Sequence, residues 1–229
     1  MPKRKENSVL KPVDAATMQA HVGDVLACKL CPKMIGPVVT SRPVPARIYL
    51  IGQAPGPHEG RFGQPFAWTA GKTLFRWFQS IGVDEETFRA NVFMAAVCRC
   101  FPGKAKGGGD RVPDPTEIAN CARWMEREVA LLKPALIIPV GRLGIERVLP
   151  PAPLAEIVGR KFETTLYGHT AEVIPLPHSS GASTWFKMEP GISLLQQALA
   201  LLAKHPAWRE LQTQAQRRSV SRGTTSQVS

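Results

Sequence analysis

Short apolar runs alternate with helical periodicity through most of the chain. Arg47-Ile48-Tyr49-Leu50-Ile51 is apolar after its first residue and stops at Gly52, as a strand buried on both faces does. From Thr73 to Ile81 the positions Leu74, Phe75, Trp77, Phe78 and Ile81 spread over a broad helical face, and Gly82 ends it. Val92 to Val97 predicts a second strand. Ala135 to Val140 predicts a third, closed by Gly141, with a short helix after it through Val148. Between these two strands, Asp114-Pro115-Thr116-Glu117 sets an N-cap carboxylate, a proline at the first helical position and a glutamate at N3. The helix that starts there runs to about Leu132, with Ile118, Cys121, Ala122, Met125 and Val129 inward. Lys161–Tyr167 and Thr170–Leu176 predict two more strands around a Gly168-His169 turn, and Gly191 to Ala203 a closing amphipathic helix. Strands separated by helices of this length imply an α/β fold, a three-layer α/β/α sandwich with a mainly parallel sheet. In such sheets the ligand crevice lies at the carboxyl ends of the strands.

The two ends break this pattern. Residues 1–12 are polar and basic and predict a flexible N-terminus. Residues 212–229 carry three arginines, no acid and almost no apolar content, and predict a disordered basic tail. Residues 13–211 then form one domain, and 229 residues suffice for one sizeable α/β core. At 44% hydrophobic and 21% charged, the composition excludes a wholly disordered chain. With 29 Lys+Arg against 18 Asp+Glu the formal charge is +11, which favours a polyanionic partner, nucleic acid being the commonest. No apolar run approaches about eighteen residues, and the first eight residues lack the apolar stretch of a secretory signal. The expectation is a cytoplasmic protein of bacterial type, associated with the nucleoid, with no membrane partner. Five cysteines without an export signal argue for free thiols or a metal site over a disulfide framework.

Two loops follow predicted strands directly. Gly52-Gln53-Ala54-Pro55-Gly56-Pro57-His58-Glu59 continues to Gly63-Gln64-Pro65-Phe66, and Pro177-His178-Ser179-Ser180-Gly181-Ala182-Ser183 follows the last strand. Small residues leave backbone N–H groups uncovered for a ligand. Taken alone, a Gly/Pro loop is equally a plain turn, and His178 a surface histidine. Cys28 and Cys31 form a CxxC pair, with Cys98, Cys100 and Cys121 downstream. Such a pair and two distant thiolates can close a four-sulfur site for zinc or an iron–sulfur cluster; the alternative is ordinary reduced thiols.

Taken in order, these motifs resemble the uracil-DNA glycosylase superfamily, most of all its iron–sulfur branch, family 4, with some similarity to family 5. The family-4 pattern runs CxxC, GEAPG, GxPFxGxAG, a strand leading to KCRPP, another Cys, then HPS. The counterparts are Cys28 and Cys31, Gly52-Gln53-Ala54-Pro55-Gly56, Gly63-Gln64-Pro65-Phe66-Ala67-Trp68-Thr69-Ala70-Gly71, Arg99-Cys100-Phe101-Pro102, Cys121, and His178-Ser179-Ser180. They span about residues 25–203. The resemblance implies a four-stranded parallel sheet between helices and removal of uracil or a related deaminated base from DNA, leaving an abasic site. It also implies a structural [4Fe–4S] cluster on Cys28, Cys31, Cys100 and Cys121. Cys98 is the spare, and Cys100 is taken as the ligand because Pro102 follows it closely.

By the same resemblance, Phe66 stacks on the extruded base and His178 hydrogen-bonds the oxygen on which negative charge grows. Backbone N–H groups of Gln53 and Ala54 complete an oxyanion site, and Gly52, Pro55, Gly56, Ala96 and Ser179 face the substrate. The departures carry consequences. The family-4 carboxylate of GEAPG is Gln53 here, the family-1 carboxylate of GQDPY is Ala54, the uracil-reading asparagine is Ala96, and the HPS proline is Ser179. Loss of the carboxylate implies a slower enzyme, or one that uses His58 or Glu59 instead. Loss of the asparagine implies looser base choice. The insertion Gly103–Arg111 brings Lys104, Lys106 and Arg111, which are expected to meet DNA, as is Ser180. Trp185 stands where relatives insert a wedge into the duplex, or else in the core. A second reading is a catalytically weak or inactive relative that binds lesions or single-stranded DNA, and a third a zinc-binding nucleotide hydrolase.

Overall fold

A computed structural model describes residues 13–225, so the predicted flexible N-terminus at residues 1–12 lies outside the described residues. The helices are α1 (Ala15–Leu26), α2 (Glu59–Phe62), α3 (Thr69–Ser80), α4 (Glu85–Asn91), α5 (Pro115–Leu132), α6 (Arg142–Glu146), α7 (Leu154–Ile157), α8 (Gly191–Lys204) and α9 (Pro206–Thr225). The strands are β1 (Ile48–Gly52), β2 (Val92–Ala96), β3 (Leu136–Pro139), β4 (Phe162–Leu166) and β5 (His169–Val173). They form one sheet in the order β2-β1-β3-β5-β4.

The first four strands in that order pair in parallel, and β4 pairs antiparallel with β5. The four-strand expectation is therefore corrected to five. The cause is local: Tyr167 and Gly168 both have positive φ, 49° and 76°. That is the conformation of a two-residue hairpin turn whose twist suits its flanking strands, so β4 folds back on β5 and needs no crossover helix.

β1, β2 and β3 are buried at every position, and alternate residues feed two cores. Ile48 and Leu50 pack with α3, α4, α8 and α9, whereas Tyr49 and Ile51 pack with α1, α5, α6 and α7. These are the three layers. The start of α5 is fixed as its sequence predicts, with Asp114 and Glu117 each accepting from the other's backbone N–H. α3 begins at Thr69, four residues before its apolar stripe, because its first turn is made of small and polar residues.

The C-terminal stretch is a second correction. α9 continues to Thr225, through most of the segment expected to be a disordered tail. Its anchor is Trp208, fully buried, whose Nε1–H donates to the Ile81 carbonyl at 3.2 Å while Gln212 donates to the same oxygen at 2.9 Å. A polar helix with one buried turn gives no amphipathic stripe for the sequence to display. No helix among the described residues is long and apolar enough to cross a membrane.

Candidate active site

The chain lays β2 on one side of β1 and β3 on the other, so the sheet reverses its growth at β1. Crevices open at the carboxyl ends of strands at such a point. Here a cavity of about 500 Å³ occupies it. Gly52 and Ala96, register partners at the ends of β1 and β2, line it together with Val140 after β3 and His178 after β5. Gln53, Ala54, Pro55, Gly56, His58 and Phe66 enter from the long loop after β1, Ser180 from the loop after β5, and Lys104 and Asp110 from the insertion.

Phe66 is held in a conformation that few residues accept. Its φ is +54°, in the left-handed region that costs a non-glycine residue about 1–2 kcal/mol. Arg89 on α4 offsets that cost, donating to the carbonyls of Pro65 at 2.8 Å and Phe66 at 3.0 Å while its Nε donates to Glu85. Gly71 provides the space, since a Cβ there would lie 1.8 Å from the Phe66 carbonyl oxygen. Gly52 does the same for the ring, where a Cβ would lie 3.0 Å from two of its carbons. Both motif glycines are thus explained by one phenyl ring.

His178 is half-buried, and its Nδ1 accepts from the Ser180 backbone N–H at 3.2 Å, with Ser180 Oγ 2.9 Å away. A backbone N–H can only donate, so in the neutral ring the proton sits on Nε2. Burial pushes the ring's pKa below its ordinary value, against the opposing charge of Asp110. His178 is therefore a neutral donor, suited to an oxygen that gains negative charge. Ser179, expected beside the substrate, is fully buried and does not line the cavity.

Glu59 accepts from the Gly56 N–H at 2.6 Å and the Ala67 N–H at 3.1 Å, so its carboxylate pins the two halves of the loop together. Burial raises its pKa while those N–H groups resist the rise. His58 packs on Trp68 with ring centroids 4.6 Å apart, and Phe62 stacks on Trp68 at 5.9 Å, making an exposed aromatic rim. The insertion closes as a small hairpin, with Lys104 bridged to Asp110 and Lys106 exposed on its turn. Arg111, expected at DNA phosphates, instead clamps Glu117 through two bonds of 2.7 and 2.9 Å and donates to the Pro102 carbonyl. A carboxylate fixed by the α5 capping box matches the planar fork of arginine. Trp185 packs against the core at Gly191, where a Cβ would lie 2.0 Å from the Trp185 carbonyl oxygen. Arg89 carries no sequence signal of its role, because it acts on carbonyls 24 and 23 residues away that only the fold brings near.

The cysteines gather on the far side of the β2–α5 connection. Cys28, Cys31, Cys100 and Cys121 line one hollow of about 360 Å³, which Cys98 does not line. Burial, then the sulfurs of Cys121, Cys28 and Cys31, push Cys100 up to about 11. A hydrogen bond from Cys98 holds Cys121 down at about 6 against its burial. The walls offer sulfur and no histidine or carboxylate, a soft donor set that fits iron–sulfur or zinc thiolate chemistry. Among the described residues no group of three or more Cys, His, Asp or Glu converges as a metal site, so the four thiols share a hollow without closing on a point.

These features define a doubly wound α/β protein whose switch-point crevice is walled by an aromatic ring, a neutral imidazole and the Gln53–Gly56 loop. The family model of the Uracil DNA glycosylase superfamily matches residues 40–213, well over half the chain, and the chain belongs to that superfamily. It is 28% identical over 138 residues to the Type-4 uracil-DNA glycosylase of Archaeoglobus fulgidus, covering 58% of this chain and 65% of that protein. It is 32% identical over 162 residues to the Type-5 uracil-DNA glycosylase of Thermus thermophilus, covering 57% and 71%. A Type-4 uracil-DNA glycosylase of Saccharolobus solfataricus is 29% identical over 143 residues, covering 60% and 62%. The chain thus spans just under two thirds of the length of the two Type-4 relatives.

Proposed function

We propose that this chain is a monofunctional DNA glycosylase that hydrolyses the N-glycosidic bond of uracil or a related deaminated base in DNA and leaves an abasic site. The observation that carries the reading is one cavity lined at once by Phe66, His178 and the Gln53–Gly56 loop, with room for a nucleobase and its sugar. Superfamily membership and the named relatives support it, and a charge of +11 suits a polyanion beside chromosomal DNA in the cytoplasm. Those relatives are named as enzymes, which gives the binding-only reading no support.

The base leaves its stack at a cost of a few kcal/mol and packs on Phe66. As the bond between sugar carbon and base nitrogen breaks, its electron pair moves onto the base. His178 Nε2–H and the backbone N–H groups of Gln53 and Ala54 donate to the oxygen that gains the charge, and water adds to the sugar carbon. Ala96 offers no amide to the base edge, so recognition rests on shape and on that oxygen. Oligonucleotides carrying uracil, hypoxanthine or xanthine are all expected to release their base, read as strand breaks after alkali. Strict preference for uracil sinks the loose-pocket reading, and no break with any of the three sinks the glycosylase.

The same reading assigns a [4Fe–4S] cluster to Cys28, Cys31, Cys100 and Cys121, whose all-sulfur hollow supports it. When bound, the cluster supplies a cross-link between the segment after α1, the β2–α5 connection and α5. The hydrolysis itself draws no electrons. Cys100→Ser is expected to lose iron and acid-labile sulfide on anaerobic purification, and Cys98→Ser to retain both. The opposite outcome makes Cys98 the fourth ligand, and zinc in the native chain removes the cluster from the reading.

A further inference from the structure

We propose that Asp110, carried by the Gly103–Arg111 insertion, is the catalytic carboxylate of this chain. The inference rests on the glycosylase reading and deepens it. Gln53 and Ala54 occupy the loop positions at which the family-4 and family-1 motifs carry a carboxylate, and neither side chain can take a proton from water. Among the described residues lining the cavity, the acidic side chains are Glu59 and Asp110. Both oxygens of Glu59 are engaged by the Gly56 and Ala67 N–H groups. Asp110 is differently placed. Its Oδ1 lies 2.6 Å from Lys104 Nζ, while its Oδ2 lies 3.6 Å from the point where a Cβ on Gly56 would project. One oxygen is paired with the lysine, and the other lies beside Gly56 of the loop that lines the cavity.

Gly108 and Gly109 have φ of +88° and +73°, a reversal that glycine adopts without steric cost, and the chain doubles back to set Asp110 opposite Lys104. The negative charge is felt at His178 on the loop after β5, so carboxylate and imidazole border the same space. A sugar gaining positive charge between them is stabilised by the first while the base is stabilised by the second. As the carbon–nitrogen bond breaks, the water oxygen bonds to the sugar carbon and the water proton passes to Asp110 Oδ2. The electron pair leaves on the base, which takes a proton from solvent, and Asp110 returns its own to solvent. No electron donor or acceptor is needed.

Single-turnover base release from a uracil oligonucleotide, with enzyme in excess, reads the chemical step. Asp110→Asn is expected to lower that rate by about 10²-fold or more, the span of a positioned general base, without weakening DNA binding. Asp110→Glu is expected to recover at least about tenfold of that loss. A rate for Asp110→Asn within about threefold of the native chain overturns the proposal and leaves the glycosylase reading standing. A loss that Asp110→Glu does not recover at all marks a role in shaping the hairpin and also overturns it. A native chain that releases no base from any deaminated oligonucleotide overturns both readings together.

Discussion

On the glycosylase reading, replacing His178 with alanine is expected to slow base release by about 10²–10³-fold, or roughly 2.7–4 kcal/mol of transition-state stabilisation, with DNA affinity near that of the native chain. The loss falls on the chemical step because the charge that His178 meets does not exist before the bond begins to break. Three observations make the ring a donor fixed in advance. Ser180 N–H holds Nδ1 as the acceptor, burial keeps the ring neutral, and the ring packs over Gly141, where a Cβ would lie 2.8 Å from its Cδ2. The sign of the pH effect follows from the lowered pKa. With its pKa below the ordinary histidine value of about 6.5, the ring is mostly neutral at that pH, and its protonation midpoint lies on the acid side of it. Single-turnover rates measured from acid to neutral pH are therefore expected to show no histidine inflection at that value. A loss below about tenfold in His178→Ala contradicts the role.

How much of this was legible in the chain depends on the range over which each feature is determined. Ile48–Ile51 and Val92–Ala96 could be read because a strand buried on both faces is a continuous apolar run, and Asp114–Glu117 because a capping box lies within four residues. The hairpin turn was misplaced by one residue: Tyr167 takes a positive φ that its side chain does not advertise. The tail failed for a related reason, since α9 is ordered by Trp208 and Gln212 at a single carbonyl on a distant element. Within the site, Phe66 and His178 stood out through their loops, but the residues that hold or complement them did not. Arg89 reaches back 23 residues to the Phe66 carbonyl. Arg111 reads as a phosphate ligand because its charge is visible in the sequence, whereas its pairing with Glu117 forms only once the insertion packs against the start of α5.

Glu128→Ala is expected to destabilise the fold by about 3–5 kcal/mol, the loss that follows when one member of a buried charged pair is removed. Glu128 on α5 is fully buried and accepts from the Tyr49 hydroxyl on β1, from Arg99 Nη2 at 2.5 Å, and lies 3.3 Å from His21 Nε2 on α1. Burial works against the Arg99 charge, yet the Glu128 carboxylate outweighs it and holds the guanidinium protonated. Burial and the same carboxylate raise the Tyr49 pKa, so its hydroxyl remains a donor. Arg99 Nε and Nη1 have no other partner, so alanine at 128 strands a buried cation and a buried hydroxyl at once. A shift in the urea midpoint at unchanged slope reads the effect. The double replacement Arg99→Met with Glu128→Leu should regain the part of the loss that comes from the stranded cation, while the Tyr49 hydroxyl stays without its acceptor. A single-variant loss under about 1 kcal/mol would show that water reaches Arg99 and that the pair does not hold the layers together. Arg99 also stands between Cys98 and Cys100 and lines the sulfur hollow. The carboxylate that ties α1, β1 and α5 thus lies one residue's reach from Cys100, and on the proposed cluster reading iron retention is expected to fall with stability in Glu128→Ala.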